Sequence, residues 1–273
     1  MGNLQKAMFK HQVPCLPFSF KMTRIFTWIM ATITTISAEP AEKTISSGEF
    51  GIIVYSGTPS GIASAIAAAR SGAEVALIEP TNHVGGLSTS GLNTAETEHM
   101  LKWTIGGIAD EFYRRVGEYH CTRRREYSFT SGVAEKVYLD MLKEAGVKTL
   151  YGASLAGVKK DAARIRSITL TDGTELSAKV FVDASYEGDL MASSGVKHAV
   201  GRESKAEFGE EAAGVRFDKT PHKARTVDAD GKLRPCISAW AKDLREGDPH
   251  PAPMCYNFRL IVAKDPEFQV PVP

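Results

Sequence analysis

The chain has 273 residues, 43% of them hydrophobic and 24% charged, which excludes a mainly disordered chain, a collagen-like chain and a coiled coil. Lys and Arg number 33 against 32 Asp and Glu, for a formal charge of +1. So even a balance exerts no global electrostatic pull toward nucleic acid or an acidic membrane.

Residues Ile25 to Ser37 read IFTWIMATITTIS and carry no charge; Lys21 and Arg24 precede them and Glu39 and Pro40 follow. A membrane-spanning helix needs about 20 apolar residues, so this stretch is too short. A basic start, a short apolar run and small residues near Ser37 and Ala38 fit a secretory signal peptide, with Met22 a more typical start than Met1. The competing reading is a buried or interfacial N-terminal helix. The expected plan is a leader over residues 1–38 and a small polar linker over 39–48. Export to the periplasm or beyond follows if the leader is real, and a cytoplasmic location otherwise. No stable membrane span is expected once the leader is removed.

Phe50 to Tyr55 is a short apolar run rich in β-branched residues, the pattern of a strand buried on both faces of a parallel sheet. Ser56-Gly57-Thr58-Pro59-Ser60-Gly61 follows at once, and Ile62 to Arg70 (IASAIAAAR) has helical composition. Ala73 to Glu79 is a second apolar strand ending on an acid. Strand, Gly-rich turn, helix, strand and acid, in that order, make a dinucleotide-binding βαβ unit. The turn must bring backbone N–H groups close to a pyrophosphate, which excludes bulky side chains, and the helix N-terminus adds partial positive charge. Glu79 stands where an acid accepts hydrogen bonds from a ribose hydroxyl. The fingerprint is imperfect: Ser56 and Thr58 occupy the first two glycine positions of G-x-G-x-x-G, with Gly57 between them.

A second glycine-rich segment, Pro80 to Gly91, holds the diglycine Gly85-Gly86 followed by Ser88 and Thr89. A simple NAD-binding unit does not call for it. Here the sequence resembles the FAD-dependent oxidoreductases of the glutathione-reductase-like group, in which a diglycine after the second strand runs along the flavin dinucleotide. His83 stands where an arginine is common. The segments VYSGTPSGIASAIAAAR, EPTNHVGGLSTSGL, IGGIADEFYRRVG, VAEKVYLDMLKEAGV, AKVFVDASYEGDLMASSGV, VGRE and CYNFRL together resemble a bacterial family of FAD-dependent oxidoreductases, sometimes labelled xanthan lyase-like. The resemblance runs from about residue 49 to about 262. It implies FAD as cofactor, bound by Ser56, Gly57, Thr58, Pro59, Ser60, Gly61, Glu79, Gly85, Gly86, Ser88 and Ala184. The family carries Gly where Ser56 stands, which bears on how closely a pyrophosphate approaches.

Further along, Ile105 to Tyr119 and Val133 to Ala145 have helical periodicity, the latter ended by Gly146. Short strands are expected at Val147–Leu150, Leu155–Val158, Ile165–Leu170 and Glu175–Leu176, with Asp172-Gly173 as a hairpin turn. A separate core strand, Ala178 to Ala184, then leads through Ser185 into a helix starting near Tyr186. The expected fold is α/β: a three-layer Rossmann-like FAD-binding domain over residues 49–200 with an inserted β-meander. Residues 201–273 read as the beginning of a substrate or cap region, with Cys255 to Val262 as one strand. Family members are longer, so the resemblance implies an incomplete fold and a missing C-terminal half as partner.

Four cysteines, Cys15, Cys121, Cys236 and Cys255, form no C-x-x-C pair and have no His cluster at zinc spacing. No metal or iron–sulfur site is expected, and so few cysteines in a chain this long argue against a disulfide framework. Flavin chemistry resides in the ring, so catalytic residues are hard to read from sequence and none is assigned. His83, His99, Tyr186, Glu187 and Cys255 are candidates, each with a plain packing or surface role as the alternative. Arg114, Arg115 and Arg123 to Arg125 form a basic cluster that suits an acidic sugar or a solvated face. The substrate, a small molecule or a saccharide, is not legible. Three functional readings follow: a flavin-dependent oxidoreductase, a non-catalytic dinucleotide-binding fragment or pseudoenzyme, and a polysaccharide lyase-like protein. A lyase needs a base and charge neutralisation at a uronate, and no such constellation is visible.

Overall fold

The structure, a computed structural model, describes residues 49–92, 101–217, 227–234, 244–252, 262 and 264–269. The expected leader and linker, His99, and residues 255–261 of the expected late strand lie outside them. The described residues divide into two compact units at Val196/Lys197, those from 262 onward belonging with the first.

The first unit is built on one six-stranded sheet of order β3-β2-β1-β6-β5-β4. Its strands are β1 (Glu49–Tyr55), β2 (Val75–Ile78), β3 (Lys148–Leu150), β4 (Leu155–Asp161), β5 (Arg164–Leu170) and β6 (Glu175–Asp183). β1 pairs in parallel with β2 on one side and β6 on the other, and β2 pairs in parallel with β3. β4, β5 and β6 are antiparallel neighbours. The helices are α1 (Pro59–Arg70), α2 (Gly107–Tyr119), α3 (Ser131–Ala145) and the short α4 (Asp189–Ser193).

Alternation along the strands splits the interior into two cores. Val54, Val75 and Leu77 face Ile62, Ile66, Phe112, Val116, Tyr138 and Met141 of the three longer helices. Ile53, Tyr55, Ala76 and Ile78 face Ile168, Leu170 and Leu176 of the antiparallel strands and Leu190 of α4. Helices, parallel strands and meander thus form three layers, as expected for the FAD-binding fold. Each fully buried Ile or Leu contributes about 1.5–3 kcal/mol of transfer free energy, so the apolar runs read from the sequence are what hold the layers. Phe112 anchors the helical core, stacked on Tyr138 at 4.3 Å and edge-on to Phe129 at 5.5 Å between ring centroids.

Three elements differ from the sequence reading, and one of them, α4, starts at Asp189 rather than near Tyr186. α1 starts at Pro59 rather than Ile62, because Thr58 caps it and proline suits the first helical position. The last meander strand and the core strand are one continuous strand. Within β6, Glu175 to Ser177 pair antiparallel with β5, while Ser177 to Asp183 pair parallel with β1. Cys121, with a left-handed φ of 58° after α2, is disulfide-bonded. One such bond is not a framework, yet the cysteine count gave no sign of it.

The second unit holds α5 (Lys205–Phe208) and two isolated bridges, Arg202 with His250 and Val227 with Leu233. Val215 is its one buried hydrophobic residue among the described residues. No helix among the described residues is long and apolar enough to cross a membrane.

Candidate functional site

Three loops meet at the C-terminal ends of β1, β2 and β6. The first runs from Ser56 to Gly61. Ser56 takes a left-handed φ of 77° as the chain leaves β1, and its N–H donates to Ile78 O at 2.7 Å. A Cβ at Gly61 would lie 2.0 Å from Ser56 O and 3.1 Å from the Ala184 Cβ. A Cβ at Gly57 would lie 2.9 Å from Glu79 Oε2 and 3.0 Å from Val84. Both glycines are therefore set by close approach. Thr58 is buried; its Oγ1 accepts from Gly61 N–H at 3.2 Å and donates to Ala184 O at 2.8 Å. Pro59 and the exposed Ser60 open α1, and the Ser60 hydroxyl lies 2.9 Å from Thr58 Oγ1. The first turn of α1 carries no acidic residue, so the helix dipole presents positive potential there, although Thr58 already caps Gly61 N–H.

Glu79, read from the sequence as a ribose acceptor, is only 6% exposed. Its Oε2 accepts from Gly57 N–H at 2.7 Å, and its Oε1 from Thr81 N–H at 2.8 Å and the Thr81 hydroxyl at 2.7 Å. A carboxylate offers about four acceptor positions, so one remains for any ligand. In this arrangement Glu79 ties the first loop to the end of β2.

The second loop carries Gly85 and Gly86, both left-handed, with φ of 104° and 49°. Gly85 N–H donates to Gly57 O at 2.7 Å, joining the two glycine-rich segments. Ser88 and Thr89 spend their hydroxyl protons locally, Ser88 on Gly85 O at 2.6 Å and Thr89 on Val84 O at 2.9 Å. Tyr138, buried beneath, has its phenol pushed up to about 12, chiefly by burial; the Ser88 hydroxyl 3.4 Å away works against the rise.

The third loop follows β6. Asp183 accepts from Ser185 N–H and hydroxyl at 3.0 and 2.6 Å and from Met191 N–H at 2.7 Å, fixing the turn into α4. Ala184 supplies the carbonyl that Thr58 binds. Tyr186 reaches back over the diglycine, its hydroxyl accepting from Leu87 N–H at 2.8 Å.

All the expected cofactor-site residues, Ser56 to Gly61, Glu79, Gly85, Gly86, Ser88 and Ala184, fall within this cluster. Of the catalytic candidates, Tyr186 joins it. His83 instead pairs with Glu135 at 2.9 Å with an exposed ring, and Glu187 is exposed. Sequence reasoning missed Thr81 and Tyr138. A hydroxyl residue two positions after an acid is a local signal for Thr81; Tyr138 reads only as part of a helix face.

Three of the five arginines in the basic cluster, Arg114, Arg115 and Arg125, are ion-paired. Arg115 bridges Glu111 at 2.7 Å and Glu144 at 2.5 Å, Arg114 pairs with Glu118, and Arg125 with Asp110. Arg70 also binds Glu111, at 2.6 Å. These pairs tie α1, α2 and α3 together, while Arg123 and Arg124 of the cluster are exposed. Among the described residues no group of three or more His, Cys, Asp or Glu could hold a metal ion.

A family model described as FAD dependent oxidoreductase matches residues 51–269. No curated protein matches the chain. Among solved structures, the L-proline dehydrogenase from P. horikoshii is similar at 15% identity and a TM-score of 0.41, covering 57% of this chain and 58% of that one. The T. acidophilum thioredoxin reductase is similar at 20% identity and a TM-score of 0.33, over 50% of this chain and 34% of that one. Thermovibrio ammonificans THI4 is similar at 19% identity and a TM-score of 0.39, over 57% of this chain and 67% of that one. The chain thus spans 58% and 34% of the length of the first two.

Proposed function

The chain belongs to the FAD dependent oxidoreductase family, and we propose that it binds FAD along the three-loop cluster and exchanges a hydride or an electron pair with an organic substrate. The observation that carries this reading is the glycine cradle before α1. At Gly61 and Gly57 backbone and carboxylate leave no room for a side chain, and the cradle opens onto an N-terminus without an acid. That is the chemistry a pyrophosphate requires. The residues present fit a dinucleotide: Gly57, Thr58, Pro59 and Gly61 would shape the turn, the exposed Ser60 and the dipole of α1 would meet the diphosphate, and Gly85 and Gly86 would line its path.

When bound, the flavin supplies the redox chemistry. The chain's own contribution is binding and orientation. Glu79 fixes Gly57, Thr58 fixes the start of α1 against Ala184, and Gly85 N–H locks the two glycine-rich segments in register. Together these bonds prearrange the cradle, which lowers the ordering cost of binding.

Titration of the purified protein with FAD, followed by flavin fluorescence, tests the reading. Saturable one-to-one binding, lost in Gly61→Ala, is the expected result; a folded wild type that takes up no FAD overturns it. Bleaching of bound flavin in a screen of small organic molecules and saccharides would then define the substrate class.

Residues 1–38 serve, in this reading, as an export leader, with 49–200 as the flavin domain. N-terminal sequencing of protein from the culture medium or periplasm would find a mature start near Glu39; an uncleaved cytoplasmic chain would refute export.

A further inference from the structure

Besides the Gly57–Glu79 bond, three hydrogen bonds join the three loops of the site pairwise, and they differ in kind. Gly85 N–H to Gly57 O joins the two glycine-rich loops at residues that are themselves buried. Thr58 Oγ1 to Ala184 O, also buried, joins the first loop to the turn after β6. Leu87 N–H to Tyr186 Oη joins the diglycine loop to that same turn, and it alone is exposed. Tyr186 is 56% and Leu87 46% exposed.

The phenol lies directly over the diglycine. A Cβ at Gly86 would meet Tyr186 Oη at 2.4 Å and its ring carbons at 3.1 and 3.2 Å. Gly86 is thus the residue that lets the ring settle there. Gly188, two residues on, takes a left-handed φ of 72°, so the segment between the fixed Asp183 turn and α4 ends on a glycine. The ring can leave without disturbing either core, because its one polar bond is at the surface.

We propose that Tyr186 is a gate on the cofactor cleft: its phenol holds Leu87 N–H and covers Gly86, and it must swing away before a dinucleotide can reach the diglycine. This rests on the flavin reading above. Leu87 N–H then passes from the phenol to an oxygen of the incoming ligand. The closed phenol competes with the ligand for this N–H, so removing it speeds entry and, with dissociation unchanged, tightens binding by the same factor.

Two measurements test it. Amide hydrogen exchange on the cofactor-free protein reads the gate without any ligand. Tyr186→Phe is expected to lower Leu87 protection roughly three- to tenfold, the factor for one exposed hydrogen bond. Stopped-flow association with FAD should quicken by a similar factor in Tyr186→Phe, and further in Tyr186→Ala, which also removes the ring. Dissociation should stay within about twofold of wild type. Unchanged Leu87 protection overturns the gate, and so does an unchanged association rate with faster dissociation, which would make Tyr186 part of the bound site instead. If wild type takes up no FAD while its Leu87 amide is protected, the flavin reading fails. If FAD binds with identical kinetics in all three proteins, only the gate fails.

Discussion

The two glycine-rich loops of the site use glycine for different reasons. In the loop before α1, Gly57 and Gly61 have no left-handed φ; they are there because atoms crowd the place a Cβ would occupy. The one left-handed position in that loop is filled by Ser56. In the diglycine loop, Gly85 and Gly86 are both left-handed, and at Gly86 the obstruction is the far end of a tyrosine rather than backbone. The first loop is limited by space and the second by backbone conformation and a movable neighbour. The same residue type therefore predicts different responses to substitution.

The sharpest way to break this contrast is Gly61→Ala. The added methyl would sit 2.0 Å from a backbone carbonyl that cannot move without unmaking the end of β1. Overpacking of this kind costs about 3 kcal/mol, and denaturant titration should show it together with lost FAD binding. Glu79→Gln comes next. The amide can accept from one side only, so its NH2 must face either Gly57 N–H or Thr81, leaving buried donors opposed at a cost of about 2 kcal/mol. A midpoint within a few tenths of a molar of wild type would show that Glu79 does not organise the loop. Ser56→Gly should go the other way. Relief of the left-handed strain, about 1–2 kcal/mol, exceeds the extra chain entropy of glycine, about 0.5–1 kcal/mol. A small rise in melting temperature with FAD affinity retained or improved is expected, and a fall would mean the Ser56 side chain has a role of its own.

The smallest effect lies away from both loops and serves as a control. The Arg70 guanidinium, helped by Arg115, holds the Glu111 carboxyl at about 2, against an ordinary value of 4.5. A depressed folded-state value means the stabilisation is present above about pH 4.5 and is lost as pH falls toward 2. Wild type should therefore lose slightly more stability than Glu111→Gln across that window, and parallel pH curves would show the network to be inert. FAD binding should be unchanged at neutral pH.

Much of the scaffold was legible. Apolar runs marked the parallel strands, and the acid after β2 and the diglycine lie in loops that meet at the strand ends; the start of α1 was read three residues late, although Thr58 and Pro59 carry its signal. The partners of Glu79 were not legible, because two of its three donors are backbone N–H groups, which every residue possesses. Nor was the single strand β6, since Ser177 interrupts the apolar pattern and reads as a break. Tyr186 and Leu87 stand 99 residues apart, and only the folded chain brings a phenol over a peptide at that distance. The disulfide at Cys121 was equally hidden, because pairing depends on geometry that spacing does not encode.

The continuity of β6 bears on the order of folding. Its antiparallel end can form early from the adjacent β5 hairpin, whereas its parallel end must find β1 across most of the domain. The Thr58–Ala184 bond spans 126 residues, a closure whose entropy must be met before any contact rewards it. A nascent chain can hold a complete meander while it still has no cofactor cradle. Flavin capture is then a clock for the last event in assembly, and slow steps in pairing β6 with β1 would register as a lag in fluorescence after the helices have formed.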